Sequence, residues 1–215
     1  MKIDLIKGDS LTELAKISDN SADLVFYDPP YNIKKKYDGY DDNLSPHAYI
    51  IWMQKVFDRC ERISRRGVIV YVASKLAAAF QTYIVPESAH MIIVHKRAAG
   101  VFSGNYMLQY HALFSTAKPI IKCKDLWDDV RLPGEGYYFR EPRYDHPGLT
   151  GFDMTVKVFH HFTKEGETVL DPFVGTGTTA VACKSLGRNC IGIEQSEKYL
   201  AIAKKRIENE KQKTN

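Results

Sequence analysis

The sequence holds no apolar run near the roughly 20 residues that a bilayer-spanning helix needs. Residues 1–10 also lack the uninterrupted apolar stretch of a signal peptide, so a soluble, cytoplasmic protein is the expectation. Cysteine is scarce: the four residues Cys60, Cys123, Cys183 and Cys190 form no Cys-x-x-Cys pair and have no histidine at ligand spacing. That excludes a zinc site and a disulfide framework, leaves buried free thiols, and gives no reason to expect a metal. The excess of one charge is small, since 30 Lys+Arg against 26 Asp+Glu leaves +4, too little to demand a polyanionic partner. There is no internal repeat and no low-complexity tract.

What is present is an alternation of apolar runs and helical periods over 215 residues, the pattern of one α/β domain with a mainly parallel sheet. Seven strands are expected, at 3–7, 23–27, 67–72, 91–95, 111–116, 168–171 and 189–194. Several are continuous Val/Ile/Leu runs, as strands covered on both faces are. Helix starts are expected at a Ser10–Glu13 capping box, at Ser45-Pro46 and at Ser196. Two stretches break the alternation: the polar, aromatic-rich 32–43 and the longer 118–151. Loops of such length inside a compact domain are usually functional.

Two motifs carry chemistry. The run Asp23-Leu-Val-Phe-Tyr27 enters Asp28-Pro29-Pro30-Tyr31, where two prolines stop a parallel strand and force a rigid turn. Asp28 and a proline carbonyl can accept hydrogen bonds from an exocyclic base amine, and the Tyr31 ring can stack on the base. The plain alternative is a stiff turn in which Asp28 caps backbone amides. The second motif is Asp171-Pro-Phe173-Val-Gly175-Thr-Gly177-Thr178, a strand, a glycine turn and a helix start. A later strand ends in Glu194, placed to bind ribose hydroxyls. Gly175-x-Gly177-x-x-Ala180 also satisfies the dinucleotide fingerprint, which keeps a nicotinamide oxidoreductase open. Against that reading, Asp171-Pro172 intrudes before the glycines and only one helix follows Glu194. No Gly-Lys-Ser/Thr follows the glycines, which excludes a P-loop.

Together, Asp28-Pro-Pro-Tyr31 first and Asp171-Pro-Phe-Val-Gly-Thr-Gly-Thr178 last resemble the β-group amino-methyltransferases of DNA. That family uses S-adenosylmethionine to methylate adenine N6 or cytosine N4. The resemblance implies a doubly wound, Rossmann-like methyltransferase fold, circularly permuted, with a seven-stranded sheet in a single domain spanning 1–215. It also implies a short variable insertion at 118–144 for target recognition or dimer formation.

Carried over by position, Asp28, Pro29, Pro30 and Tyr31 form the catalytic block. Asp9, Asp28, His146, Asp171, Phe173, Gly175, Gly177, Thr178 and Glu194 line the cofactor side. After His146-Pro147 this chain reads Gly148-Leu-Thr-Gly-Phe152, where the family commonly has Thr-Gln-Lys-Pro. The implied partner is double-stranded DNA with a flipped base. Lys34, Lys35, Lys36, Arg131 and Arg140 are the candidate contacts, with Arg65-Arg66 and Lys122/Lys124 as weaker ones. His160-His161 reads as packing within a helix. A homodimer is an arrangement the resemblance allows. Asp at the first position of the catalytic block is associated in the family with adenine N6, with cytosine N4 as the alternative. RNA as substrate and a silent nucleic-acid-binding module stay open.

Overall fold

The computed structural model describes residues 1–38, 40–95, 101–103, 106–108, 110–128, 130 and 151–210. The first half of the chain comprises β1 (Ile3–Lys7), α1 (Ser10–Leu14), β2 (Leu24–Tyr27), β3 (Lys36–Tyr37), β4 (Tyr40–Asp41), α2 (Pro46–Ile63), β5 (Val68–Ala73) and α3 (Ser74–Tyr83). Then come β6 (His90–His95), β7 (Val101–Ser103), β8 (Tyr106–Leu108), β9 (Tyr110–Ser115) and β10 (Leu126–Trp127). The chain closes with α4 (Phe152–Phe162), β11 (Thr168–Asp171), α5 (Thr178–Ser185), β12 (Asn189–Glu194) and α6 (Glu197–Asn209).

One sheet runs β1-β12-β11-β2-β5-β9-β6-β10. All its pairings are parallel except those of β9, which is antiparallel to β5 and β6. The seven expected strands form, each within about one residue of its expected ends. The count is nevertheless eight, because Leu126–Trp127 adds to the β6 edge with Trp127 opposite Val94. A two-residue strand has no period to read, which is why the pattern passes over it. The same holds for the two-residue strands of the β3–β4 ladder and the three-residue strands of the β7–β8 ladder.

Side chains alternate across the sheet because successive strand residues point to opposite faces. Val25, Tyr27, Val68, Val70 and Leu170 pack with α1, α2 and α3 through Leu14, Met53, Val56, Phe57 and Phe80. Leu24, Phe26, Ile69, Tyr71 and Val169 pack on the other face against Met154, Val158, Phe159 and Ala182 of α4 and α5. Both layers are apolar, so the strands needed no polar face.

Helix starts follow the caps, with one correction. Ser45 accepts from Ala48 N at 3.2 Å ahead of Pro46, and Ser196 accepts from Tyr199 N at 3.1 Å. At α1, however, the cap is Asp9, whose Oδ1 accepts from Thr12 N at 2.9 Å. Ser10, the expected cap, is buried and its Oγ donates to Pro172 O at 2.7 Å. The carboxylate takes the cap because it sits one residue earlier, where the strand releases the chain.

The last helix packs against β1 and β12, and Lys7 Nζ meets Glu197 Oε2 at 2.7 Å. Cys60, Cys183 and Cys190 are buried free thiols, whereas Cys123 is half-buried. No helix among the described residues is long and apolar enough to cross a membrane.

Phe159 is fully buried and meets Phe26 edge-on at 5.6 Å between ring centroids. Phe159→Ala is expected to cost about 3–5 kcal/mol of stability, read as a lower denaturant midpoint. A loss below about 1 kcal/mol would mean that α4 does not seal this face.

Candidate active site

The site lies at the carboxyl edge of β2, β11 and β12. β2 and β11 are neighbours, with Val25 opposite Leu170; Asp28 follows the end of β2 and Asp171 is the last residue of β11. After β2 the chain enters the α1–α3 face, and after β11 it enters the α4–α6 face. Divergence of this kind leaves a crevice at the strand ends. Here it is a cleft of about 440 Å³, within the range that holds a small organic ligand.

Around the cleft stand Asp9, Asp28, Pro29, Pro30, Tyr31, Asp171, Phe173, Gly175, Thr178 and Glu194. Sequence reasoning from two separate motifs is thus gathered into one cavity. Lys35 also lines it, while Lys34 is exposed on the outer side of the same loop. Only the backbone of Lys36 is described, in β3. His146, Arg131 and Arg140 lie outside the described residues, as does most of 118–144.

Three of the candidates sit away from the cleft. Gly177 does not line the cleft. It sits at φ +92°, and a Cβ there would come within 2.8 Å of the Ala203 Cβ, so glycine is required by backbone strain and by α6. Arg65 and Arg66 lie at the opposite sheet edge in ion pairs, with Asp23 at 2.9 Å and with Glu167. Lys122 follows Ile120 and Ile121, whose amides bond His161 O at the end of α4, also away from the cleft. His161 itself packs: its ring lies 5.9 Å from Trp127 and its Nδ1 3.2 Å from Ile121 O.

In the turn after β2 the Tyr31 hydroxyl donates to Asp28 Oδ1. Burial, then the Asp28 charge, push the Tyr31 phenol well above its usual range, so it stays a proton donor. The Tyr49 hydroxyl donates to Pro30 O at 2.8 Å, which fixes the turn against α2.

Beyond the turn, Asp42 is fully buried although charged. It accepts backbone N–H bonds from Asn32 at 2.7 Å, Ile33 at 2.9 Å and Lys35 at 3.3 Å. Such a carboxylate folds the lysine-bearing loop around itself. Asn32 and Lys34 adopt positive φ there, at 54° and 59°.

In the glycine loop Asp171 Oδ1 accepts from Phe173 N at 2.8 Å, and Gly175 N donates to Glu194 Oε2 at 3.1 Å. Glu194 Oε1 accepts from Ser196 N at 2.7 Å. Beneath the loop, the buried Arg206 donates to Thr176 O at 2.9 Å and to the Thr176 and Thr178 hydroxyls at 3.2 Å. Nothing in the local sequence marks this arginine, because its partners lie 28 and 30 residues away.

The far wall was also unread. Tyr40 stacks on Trp52 at 5.6 Å, and Trp52 meets Phe173 edge-on at 5.7 Å. This aromatic run links the loop, α2 and the glycine motif. Trp52 sits beside, not on, the buried stripe of α2, which was its only available signal.

The cleft gathers acids: Asp9, Asp28, Asp38, Asp171 and Glu194. Burial pushes Asp171 from 3.8 up to about 7, and the nearby Asp28 and Glu194 charges add to the rise. Hydrogen bonds from Thr179 and Phe173 oppose it. Burial also raises Glu194. Acidic and aromatic walls together suit a ligand that carries positive charge and a flat ring.

Residues 22–110 and 107–205 match the model of a family described as DNA methylase. The chain belongs to this DNA methylase family. Its relatives include the type II methyltransferase M.HpaI of Haemophilus parainfluenzae, 26% identical over 96% of this chain and 74% of the relative. The DNA adenine methyltransferase YhdJ of Escherichia coli K12 is 25% identical over 95% of this chain and 82% of its own. Among solved structures, the cytosine-N4-specific PvuII DNA methyltransferase superposes with a TM-score of 0.74 at 15% identity, covering 96% of this chain and 86% of that one. M1.HpyAVI, solved as its S-adenosylmethionine complex, gives 0.65 at 21% identity over 95% and 98%. These superpositions show that the methylase has the fold of methyltransferases. Family membership also closes the nicotinamide reading.

Ionised Asp171 costs the fold. Between about pH 4 and 7 the native methylase keeps a proton that the unfolded chain has released, so this group's contribution falls as pH rises through that window. Asp171→Asn carries no charge at any pH. Its Tm relative to the parent is expected to rise from pH 5 to pH 8 by differential scanning; a pH-independent difference contradicts the burial argument.

Proposed function

We propose that this DNA methyltransferase moves the methyl group of S-adenosylmethionine to the exocyclic N6 amine of adenine in double-stranded DNA, acting on a flipped base. The observation that carries the reading is that the Asp28 turn and the Asp171–Glu194 loop open into one cleft from neighbouring strands. Donor and acceptor sites then share a wall.

The residues present fit the cofactor. Glu194 accepts from the backbone N–H groups of Gly175, Ser196 and Gln195, which leaves about one lone-pair site of the carboxylate for a ribose hydroxyl. Phe173 and Trp52 offer flat apolar surface, and the acids Asp9 and Asp171 favour a cationic ligand. When bound, S-adenosylmethionine supplies a methyl group activated by its sulfonium charge.

Asp28 and the Pro29 carbonyl accept the hydrogens of the target amine, which draws its lone pair out of ring conjugation. Asp28 is also placed to take the proton that the amine sheds after methylation. Tyr31 yields its bond to Asp28 to the incoming amine and stacks on the base. Positioning of this kind supplies several kcal/mol of a methyl-transfer barrier. Lys34 and Lys35 hold phosphates beside the extruded nucleotide, with Lys36 continuing the run.

Target reading falls to 118–144, with Arg131 and Arg140. In support, β10 runs parallel to β6, so the chain leaves Trp127 toward the cleft edge of the sheet. The same segment is the candidate surface for a homodimer. Asp at position 28 favours adenine. Cytosine N4 is the second reading, because the same acceptors fit either amine and the cytosine-specific PvuII enzyme shares the fold.

Incubation with labelled S-adenosylmethionine and mixed-sequence duplex DNA, followed by nucleoside analysis, is expected to yield N6-methyladenine. N4-methylcytosine would transfer the reading to the second base, and unlabelled DNA would overturn it. Asp28→Ala is expected to lower transfer at least about 100-fold while leaving cofactor binding within a few-fold of the parent.

A further inference from the structure

The loop after the catalytic turn touches both ends of the site. Its first half carries Lys34, exposed to solvent, and Lys35 at the cleft. Its second half carries Tyr37, Asp38 and Tyr40, which also line the cleft. Asp38 is pinned to the start of α6 twice: its Oδ2 accepts from Ser196 Oγ, and its N–H donates to Tyr199 OH at 3.3 Å. Asp38 also stands close enough to Glu194 for its charge to act on that carboxyl.

The two halves cannot move independently. Asp42 binds the amides of Asn32, Ile33 and Lys35, its own carbonyl accepts from Lys34 N at 2.9 Å, and Asn32 is doubly bonded to Leu44 at 2.8 Å. A load placed on Lys34 reaches Asp38 through this unit and the β3–β4 ladder, where Lys36 pairs with Asp41 and Tyr37 with Tyr40 on either side of Asp38, whereas an unbraced loop would absorb it.

We propose that 32–44 is a clasp: Asp38, latched to Ser196 and Tyr199, closes the nucleoside end of the cofactor pocket, and a phosphate backbone held on Lys34 and Lys35 keeps it closed. This rests on the cofactor and DNA reading given above. Cofactor exchange requires the Asp38 latch to open. DNA on the outer face opposes that opening, so DNA slows cofactor release and, by linkage, the cofactor strengthens DNA binding. The arrangement retains the methyl donor while a base is being extruded, and it commits the enzyme only when both ligands are present.

The test follows release of S-adenosylhomocysteine by stopped-flow fluorescence, with Trp52 at the cleft as reporter. Release is measured with and without a mixed-sequence duplex. For the parent protein, duplex is expected to slow release at least about fivefold, the lower range of ordinary coupling. Asp38→Ala, an exposed loop substitution, is expected to release faster without duplex and to lose most of the duplex effect. Asp38→Asn keeps an acceptor for Ser196 Oγ and is expected to restore slow release. Equal release from parent and Asp38→Ala, or a parent rate indifferent to duplex, overturns the clasp. Failure of the parent to bind S-adenosylhomocysteine at all would instead remove the cofactor reading beneath it.

Discussion

β2 and β11 lie side by side in parallel register, and each ends in Asp-Pro. Proline removes the N–H that a further ladder bond would need, so each strand stops there, with Asp28 two residues beyond Asp171 in register. The chain beyond Pro29 and Pro30 goes to the α2 face, and the chain beyond Pro172 goes to the α5 face. Parting in opposite directions opens a crevice that no loop has to build. The Asp28 turn, the glycine loop and the Glu194 strand end all take their positions from it.

Much of the remaining structure braces that crevice. α6 supports the glycine loop from below, through Arg206 on Thr176 and Thr178 and through Ala203 against Gly177. α2 supports the Asp28 turn through Tyr49 on Pro30 and supplies Trp52 to the aromatic wall. At Asp171 and Glu194 burial opposes the charge, and it pushes Asp171 up to about 7. A cationic ligand relieves that cost, which makes electrostatic strain in the free cleft part of its affinity for one.

The fold was legible wherever a pattern spans several residues. Val68 to Val72 and Leu24 to Tyr27 announce covered strands, and Ser45-Pro46 and Ser196 announce helix starts. Leu126–Trp127 was not legible, because two residues carry no period. The Ser10 cap was misplaced by one residue, since Asp9 and Ser10 are both good caps and tertiary contact with Pro172 claims the serine. In the site, Asp28, Asp171 and Glu194 were readable as strand-end acids. Asp42, Asp38, Trp52 and Arg206 were not. Each depends on a partner distant in sequence, such as Asp38 on Ser196, and nothing local marks such pairs.

The central claim is that one crevice holds methyl donor and target amine together. Its most direct test is a crystal structure with S-adenosylhomocysteine and a duplex carrying the methylated sequence. The account predicts the ribose at Glu194, the sulfur facing the Asp28 turn, and the flipped base with its amine within about 3 Å of Asp28. A cofactor seated elsewhere, or a base amine out of hydrogen-bonding reach of Asp28, would contradict it.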